Sequence, residues 1–245
     1  IPLYAGAGDN QAGFIGSVLH PDSALLVNIG TSAQLSVYAP AADELTRHEP
    51  PGWLGELELR PFPGGGCLYT GASLAGGAAY RVLEQLFRDV CRRYAGHDPG
   101  SLLEAMNQIE PEALDPEHRL TVKTQFLGTR VDPTVRGAIS GIGVGNLTPD
   151  YLEEGFLRGI AREVAGFAEE LPEPVRARTG HVVGVGNALR RNPLLQRILE
   201  DELRLPVRFP AAREEAALGA AIIAGVGAGI YSGYTTGDRP IAGKA

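Results

Sequence analysis

Two short segments near the N-terminus carry the residues whose types and spacing could do chemistry. Asp9 follows the small residues 5–8, where the backbone can bring a carboxylate close to a substrate. Further along, the apolar residues 24–29 end in the turn Gly30-Thr31-Ser32, whose amides and hydroxyls could hold phosphate oxygens. A carboxylate that accepts a proton and a loop that holds phosphate together indicate phosphoryl transfer to an alcohol.

Each of these segments alone is also typical of plain structure. An Asp after Gly is commonly a turn or helix-cap residue, and Gly-Thr-Ser is commonly only a turn. Residues 64–66 are all Gly, but no Lys-Ser/Thr pair follows them, so they predict a hairpin turn and not a P-loop. Ser32 and Ser73 have no positioned His and no Gly-x-Ser-x-Gly elbow, which argues against a hydrolase.

The composition is that of an ordinary globular protein and excludes several classes. The 245 residues can bury a sizeable core, and a net charge of −7 without a basic stripe argues against nucleic acid as a partner. The longest apolar run, residues 216–230, is too short and too rich in Gly and Ala to span a membrane, so no membrane partner is expected. The histidines are scattered, and no metal site is predicted.

The two cysteines, Cys67 and Cys91, form neither a metal-binding pattern nor a disulfide framework. Cys91 lies on the apolar stripe of a predicted helix, so we expect a buried free thiol there. This cysteine usage fits a reducing cytoplasm.

The first part of the chain predicts strands joined by turns. Residues 1–40 predict strand, loop, strand, turn and strand, with residues 35–38 as the hairpin partner of residues 25–29. The small residues 71–77 predict the opening of a helix. That helix should bury one face in the core, formed by Tyr80, Leu83, Phe87, Val90 and Tyr94.

The second part of the chain alternates helices with strands. A strand is predicted over residues 120–127, and a long amphipathic helix should begin after Thr148. Residues 181–187 predict a buried strand that runs into a glycine turn, and Pro193 marks the first position of the next helix. A last helix, from residue 214, consists largely of Ala and Gly, which permits close packing.

This order of elements predicts an α/β fold with a mixed, mostly parallel sheet and helices on both faces. Ligands of such sheets bind beyond the carboxyl ends of the strands. Asp9, the turn at Gly30 and residues 184–187 each follow a strand-like run, so we expect one cleft to collect them. We expect one domain over residues 1–233 and a loose tail over residues 234–245.

Six motifs in the same order resemble the C-terminal domain of the FGGY family of carbohydrate kinases. Residues 8–12 are similar to Gly-Asp-x-Gln-Ala, whose Asp is the general base toward the sugar hydroxyl in that family. The resemblance therefore implies Asp9 as the catalytic base, with Asn10 and Gln11 in substrate binding. Residues 28–32 resemble a phosphate motif, which implies nucleotide contacts from Gly30, Thr31 and Ser32.

The other four motifs lie further along the chain. Residues 71–77 resemble the family's small-residue helix start, which implies a place for Gly76 and Gly77 on the nucleotide side. Residues 126–137 and 214–221 resemble two further family motifs. Residues 183–196 resemble the adenosine motif, which implies nucleotide contacts from Gly184, Gly186, Asn187 and Asn192.

The resemblance implies a ribonuclease H-like, actin-like fold, ATP with Mg²⁺ as cofactors and a small-molecule sugar as substrate. The active site would lie between this domain and an N-terminal domain whose phosphate loop has no counterpart here. We therefore expect the C-terminal half of a longer kinase, inactive in isolation, with its own N-terminal domain as partner. We also consider a homodimer.

The substrate is left open among several members of the family. The motifs around Gly30 and Asn187 are most similar to those of the sedoheptulose kinases, and xylulose, ribulose and glycerol are the alternatives. An actin-like protein that binds nucleotide without phosphorylating a sugar is a further hypothesis.

Overall fold

The computed structural model describes residues 6–40, 53–109 and 114–234. Its centre is the apolar strand β1 (Ala24–Ile29), which pairs antiparallel with β2 (Ala33–Ala39) and parallel with β8 (His181–Val185). Val27 lies opposite Leu35 in one neighbour and Gly184 in the other. The predicted hairpin is therefore confirmed.

Four further strands belong to the large sheet: β3 (Trp53–Leu54), β4 (Leu57–Pro61), β5 (Cys67–Ser73) and β9 (Val207–Arg208). In the part of the chain that the structure describes, this sheet thus has seven strands, in the order β3-β4-β5-β2-β1-β8-β9. The sheet is mixed, as predicted, but the expectation of a mostly parallel sheet is wrong. Among the described strands only β1–β8 and β8–β9 pair in parallel, because short turns join β1 to β2 and β4 to β5.

Two local features follow from glycine turns. Residues 64–66, between β4 and β5, all have positive φ, which confirms the hairpin turn predicted there. A separate two-stranded sheet consists of β6 (Thr121–Lys123) and β7 (Ala138–Ser140). The strand predicted over residues 120–127 ends early, because the chain turns where the Gly128 amide donates to the Gln125 carbonyl.

Helices cover both faces of the large sheet, as predicted. They are α1 (Asp9–Ser17), α2 (Gly76–Val90), α3 (Leu103–Met106), α4 (Pro149–Glu169), α5 (Glu173–Arg178), α6 (Asn187–Arg191), α7 (Pro193–Leu203) and α8 (Glu215–Gly227). Successive side chains of β1 point to opposite faces of the sheet, so they belong to two different parts of the core. Leu25, Val27 and Ile29 belong to the cluster of α2, α4 and α7, whereas Ala24 and Leu26 pack with α1.

Two predictions of local structure are wrong. Residues 9–17, predicted within a loop, form α1, because tertiary packing outweighs the low helix propensity of its glycines. Residues 71–73, predicted to open a helix, are the end of β5 and pair with residues 33–35. Gly71 is needed there for space, since a Cβ atom would overlap the ring of Phe167 from α4.

The predicted core face of α2 is confirmed only in its first half. Tyr80 and Leu83 are buried and Phe87 is half-buried, but Val90 and Tyr94 are 46% and 82% exposed. The last turns of the helix and the π-helical turn after it, Cys91–Ala95, lie outside the core. Cys91 is therefore a half-buried free thiol and not a buried one, while Cys67 is buried.

Helices α1 and α8 cross at very short range. A Cβ atom on Gly16 would overlap the carbonyl oxygen of Glu215, and one on Gly219 would overlap that of Ala12. The predicted close packing of the Ala- and Gly-rich helix is thus confirmed. The opposite side of α8 is exposed although it is apolar, with Leu218 at 40% exposure beside several alanines.

Within the described ranges, none of the helices combines the length and apolar character needed to cross a bilayer.

The loose tail was predicted to begin at Tyr234. The ring of Tyr234 lies 6.5 Å from that of Phe62. Residues 235–245 of that tail lie outside the described residues.

The α1–α8 crossing predicts opposite effects for two glycines of one helix. Gly16→Ala should lower the free energy of unfolding by about 2 kcal/mol, because the methyl group overpacks the crossing. Gly13→Ala, which meets no atom within 4 Å, should leave stability unchanged or raise it by up to about 1 kcal/mol. Urea denaturation of the chain measures both, and equal effects at the two positions would contradict the crossing.

Candidate active site

The turn between β1 and β2 is held by the start of α2. The Gly30 amide donates to the Ser32 carbonyl (2.9 Å), the Gly77 amide to the Gly30 carbonyl (3.0 Å) and the Ala78 amide to the Thr31 carbonyl (2.9 Å). The amides of Gly77 and Ala78 are thus engaged by the backbone and not left open for phosphate. A Cβ atom on Gly76 or Gly77 would overlap this turn, so both glycines serve close packing.

The segment from β8 to α7 meets the same turn from the other side. Gly186 has φ +90°, and a Cβ atom there would overlap the carbonyl oxygen of Ile29, the last residue of β1. Asn192 is buried and caps α7, since its Oδ1 accepts from the Leu195 amide (2.8 Å). The predicted helix start at Asn192-Pro193 is confirmed. Gly184 lies inside β8 and packs against side chains from α6 and β9.

These segments border one cleft of about 950 Å³. The structure brings six predicted residues together in its lining: Gly30, Thr31, Gly77, Gly186, Asn187 and Asn192. Ser32 is exposed in the same turn, while Gly76 and Gly184 pack behind the lining. Motifs far apart in the sequence therefore meet in one cavity, as the position beyond the strand ends predicts.

The sequence interpretation missed the longer side chains of this cleft. Arg81 lines it from α2 and Arg191 from α6, and both guanidinium groups are exposed. Arg81 lies one helical turn after Gly77 and so faces the same side, a signal that the sequence carried. Arg191 stands next to the predicted Asn192. Two guanidinium groups make the cleft attractive to an anion such as phosphate.

A short segment around α3 closes the cleft opposite the glycine turn. The buried Glu84 accepts from the Ser101 hydroxyl (2.7 Å) and the Leu102 amide (2.9 Å), and the Tyr80 hydroxyl donates to the Met106 carbonyl (3.0 Å). The side-chain nitrogen Nδ2 of Asn192 donates a hydrogen bond to Asn107 Oδ1 (2.7 Å), which connects the start of α7 to this segment. Asn107 and its neighbour Gln108 line the cleft, although no sequence motif marked them.

The expectation that the same cleft also collects Asp9 is wrong, because Asp9 begins α1 and lies outside the lining, where it is exposed. Its Oδ1 accepts a hydrogen bond from the Asn10 amide (2.8 Å). The Asn10 side chain points inward and donates to Gln34 Oε1 (3.0 Å) at the start of β2. This contact sets the carboxylate beside the strand that follows the Gly30 turn. Gln11 donates to the Pro61 carbonyl (3.1 Å).

The structure thus provides an exposed carboxylate at the start of α1 and a cleft lined by cationic and amide groups. Among the residues that the structure describes, no group of three or more His, Cys, Asp or Glu side chains is arranged to hold a metal ion. The cleft can bind a phosphorylated ligand, and the carboxylate can accept a proton.

Comparison with known proteins decides the family. A family model, the C-terminal domain of the FGGY family of carbohydrate kinases, matches residues 25–228. The chain belongs to the FGGY family of carbohydrate kinases. Sedoheptulokinase from Mus musculus is 27% identical over 222 residues, which cover 88% of this chain and 44% of that protein.

Solved structures share the fold. Xylulose kinase from Rhodospirillum rubrum superposes with a TM-score of 0.72 at 22% identity, over 94% of this chain and 43% of that chain. Glycerol kinase from Plasmodium falciparum with ADP superposes with a TM-score of 0.65 at 17% identity, over 93% of this chain and 43% of that chain. The predicted actin-like fold is confirmed. This FGGY chain spans less than half the length of the curated relatives it matches.

One arginine ties the family's adenosine motif to its closing helix. Arg190 of α6 donates to the Pro210 carbonyl (3.3 Å), the Ala212 carbonyl (3.1 Å) and Glu215 Oε1 (2.8 Å). Its guanidinium carbon lies 5.4 Å from the centre of the Phe209 ring. Because Glu215 begins α8, this FGGY domain links the helix beside the cleft to the helix that crosses α1.

Glu153 is a buried carboxyl group beside the same cleft. It lies in α4, one turn before Leu157 of the lining, and is 6% exposed. Burial, with the nearby Asp150 carboxylate, raises the pKa of Glu153 to about 7, and the charge of Glu153 also contributes to a raised pKa of Tyr80. Since this pKa exceeds the usual value of 4.5, ionisation of Glu153 opposes folding.

The Glu153 pKa predicts a pH-dependent loss of stability. The folded state binds the proton more tightly, so the free energy of unfolding should fall as the pH rises from about 4.5 to about 7. Glu153→Gln should reduce the loss between pH 5 and pH 8 by about 1–3 kcal/mol. Denaturant unfolding at both pH values measures this, with Glu169→Gln, an exposed residue of α4, as the matched control. Parallel pH profiles for wild type and Glu153→Gln would contradict it.

Proposed function

We propose that this chain is the C-terminal half of an ATP-dependent sugar kinase and carries its catalytic base and its adenosine site. The observation that carries the proposal is the meeting of Gly30, Thr31, Gly186 and Asn192 in one cleft. Asp9 is connected through Asn10 to β2, the strand that follows the Gly30 turn. Membership in a family of carbohydrate kinases supports the proposal. The reaction is transfer of the γ-phosphoryl group of ATP to a sugar hydroxyl.

Asp9 is the proposed general base. Its carboxylate is exposed, and its Oδ1 accepts a hydrogen bond from the backbone N–H of Asn10. The other carboxylate oxygen is therefore left to accept the proton of the sugar hydroxyl. As this proton leaves, the hydroxyl oxygen forms a bond to the γ-phosphorus and the bond between the γ-phosphorus and the β–γ bridging oxygen breaks. Gln11, next to this base, is proposed to face the sugar.

The donor set of the cleft fits ATP. The guanidinium groups of Arg81 and Arg191 suit its phosphates, and the side-chain amide of Asn187 suits the adenosine. Asn192 is proposed to support the adenosine site from behind, since its buried side chain is bonded to Asn107 and to the Leu195 amide.

Gly30 and Thr31 are proposed to lie close to the phosphates. Groups that stabilise the charge developing there in the transition state typically contribute about a few kcal/mol. ATP is the proposed phosphoryl donor, and Mg²⁺ would enter with it and reduce the negative charge of its phosphates.

Ser32, Gly76, Gly77 and Gly184 are proposed to act on the nucleotide mainly through the shape of the cleft. The two helix-start glycines let α2 approach the Gly30 turn, and Gly184 lets α6 approach β8. Ser32 supplies the carbonyl that closes the turn. Their substitution would then change nucleotide binding through geometry.

The proposed partner is an N-terminal domain that faces the cleft. The chain spans less than half of its relatives' length, and the exposed apolar side of α8 is the kind of surface that a neighbouring domain covers. A second copy of the chain is the alternative partner for this side of α8. Sedimentation of the isolated chain distinguishes the two, since only the alternative predicts a dimer. Among the described residues neither cysteine forms a disulfide, which supports a reducing compartment such as the cytoplasm.

Sedoheptulose is the proposed sugar, since the motifs around Gly30 and Asn187 resemble those of the sedoheptulose kinases and the sedoheptulokinase of Mus musculus is similar over 88% of this chain. Glycerol is the second candidate, because glycerol kinases are also similar to this chain, and xylulose and ribulose are further alternatives. An actin-like protein that only binds nucleotide is the alternative outside the sugar kinases.

Sugar-dependent ADP release tests the function. The intact kinase and the isolated chain are each assayed with Mg·ATP and sedoheptulose, xylulose, ribulose or glycerol. We expect turnover by the intact kinase on one sugar and none by the isolated chain, because half of the active site is then missing. Nucleotide binding without turnover on any sugar would favour the actin-like alternative.

Asp9→Asn tests the assignment of the base. In the intact kinase it should lower kcat by about 10²–10⁴-fold, because the amide cannot accept the proton. The nucleotide dissociation constant should stay within about threefold of wild type. Asp22→Asn, an exposed carboxyl group at the start of the neighbouring 3₁₀ turn, is the matched control. Near-normal turnover of Asp9→Asn would show that the base lies elsewhere.

A further inference from the structure

The cleft has an apolar end opposite the Gly30 turn, where the segment around α3 closes it. Four buried side chains line the cleft with carbon atoms: Tyr80, Leu157, Ile160 and Leu195. The hydroxyl group of Tyr80 donates to the Met106 carbonyl in α3, which places this side chain at the closed end. Apolar walls suit the faces of a planar base. A nucleotide whose phosphates lie near the Gly30 turn therefore places its base at the α3 end.

Asn107 lines this end of the cleft, and its hydrogen bonds fix the orientation of its side-chain amide. The backbone N–H of Leu195 can only donate, so the Asn192 atom that it contacts at 2.8 Å is Oδ1. The other polar atom of Asn192 is then the donor Nδ2, so the Asn107 atom at 2.7 Å from it is Oδ1. Asn107 Nδ2 is left over, and it donates to none of the residues that the structure describes.

A purine base meets this wall with the edge that lies farthest from its ribose. The ribose is attached at N9 and leads back to the phosphates, so the opposite edge, which carries N1 and the substituent at C6, faces Asn107. Because Nδ2 of Asn107 is a donor, it can pair only with an acceptor. In adenine N1 is an acceptor and the 6-amino group is a donor, whereas N1 of hypoxanthine or guanine carries a hydrogen.

We infer that Asn107 selects the base of the phosphoryl donor, through a hydrogen bond from its Nδ2 to N1 of adenine. This inference rests on the proposed kinase function, which places adenosine in this cleft. Asn192 acts on the base only by orienting Asn107. A base with a hydrogen on N1 would bring two donors together and leave a polar group unpaired at the apolar end of the cleft, so it is rejected.

The experiment compares the affinities of three nucleoside diphosphates for the intact kinase without sugar, so that binding is measured apart from turnover. They are ADP, IDP, whose hypoxanthine carries a hydrogen on N1, and 1-deaza-ADP, in which a C–H group replaces N1. By calorimetry, the wild type should bind ADP at least about tenfold more tightly than either analogue. Asn107→Ala should bind ADP and 1-deaza-ADP with affinities within about threefold of each other, because the donor to N1 is gone.

Two substitutions should reverse the preference for ADP over IDP. Asn107→Asp still accepts from Asn192 but has a second acceptor in place of Nδ2, which suits the N1–H of IDP. Asn192→Asp leaves Asn107 unchanged but offers it an acceptor, so the Asn107 amide should flip, donate to the new carboxylate and present Oδ1 to the base. The second reversal comes from a residue that does not contact the base, and a loss of local packing would not produce it.

Gln108→Glu is the matched control for the added negative charge. Gln108 lines the cleft next to Asn107, so a carboxylate there should weaken the binding of ADP and IDP to a similar extent. Their affinity ratio should then stay within about threefold of the wild-type ratio. If Asn192→Asp does not fold, the comparison of ADP with 1-deaza-ADP in the wild type and in Asn107→Ala decides.

Three outcomes would overturn the inference. They are equal affinities of the wild type for ADP and 1-deaza-ADP, an unchanged ratio of ADP to IDP affinity in Asn107→Asp, and a changed ratio in Gln108→Glu alone, which would assign the selection to Gln108. Absence of turnover by the wild type on every sugar, with the preference for ADP intact, would instead refute the proposed kinase reaction and not the role of Asn107. The binding assay therefore separates the two failures.

Discussion

The close approach of backbone segments at the carboxyl end of β1 is the constraint on which the site depends. Gly77 abuts the Gly30 carbonyl, Gly76 abuts Ser32 and Gly186 abuts the Ile29 carbonyl. A side chain at any of these glycines would hold the segments apart. Because none is present, the start of α2 and the turn before α6 both meet the β1–β2 turn, and the cleft forms where the three converge.

This constraint separates the residues that shape the cleft from those that can bind in it. The helix-start amides of Gly77 and Ala78 are occupied by carbonyl groups of the turn, so these positions give shape and not hydrogen bonds. The cationic groups come from Arg81 and Arg191. The glycine motifs therefore predict the position of the cleft but not the groups available for binding in it, since packing and binding require the same small residue.

Much of the fold could be predicted from the sequence, for physical reasons that also mark the failures. The hairpin at β1 and β2 and the capped start of α7 follow from alternation and from Asn-Pro chemistry, which act locally. Helix α1 could not be predicted, since Gly16 is unfavourable in an isolated helix and is tolerated only because α8 crosses there. The periodicity of α2 was right, but periodicity does not tell where the core ends, so the exposure of Tyr94 was missed.

The first motif identified Asp9 and Asn10 as candidate site residues, but the directions of their side chains could not be predicted from it. Asp9 and Asn10 are neighbours, yet the helix turns one toward solvent and the other into the sheet. The same β1–β2 hairpin then serves both halves of the site. Its turn receives α2 and α6 through glycines, while β2 receives α1 through the hydrogen bonds of Asn10. Asp9 and the Gly30 turn are thereby attached to one hairpin, so a change in the position of β2 would move both of them.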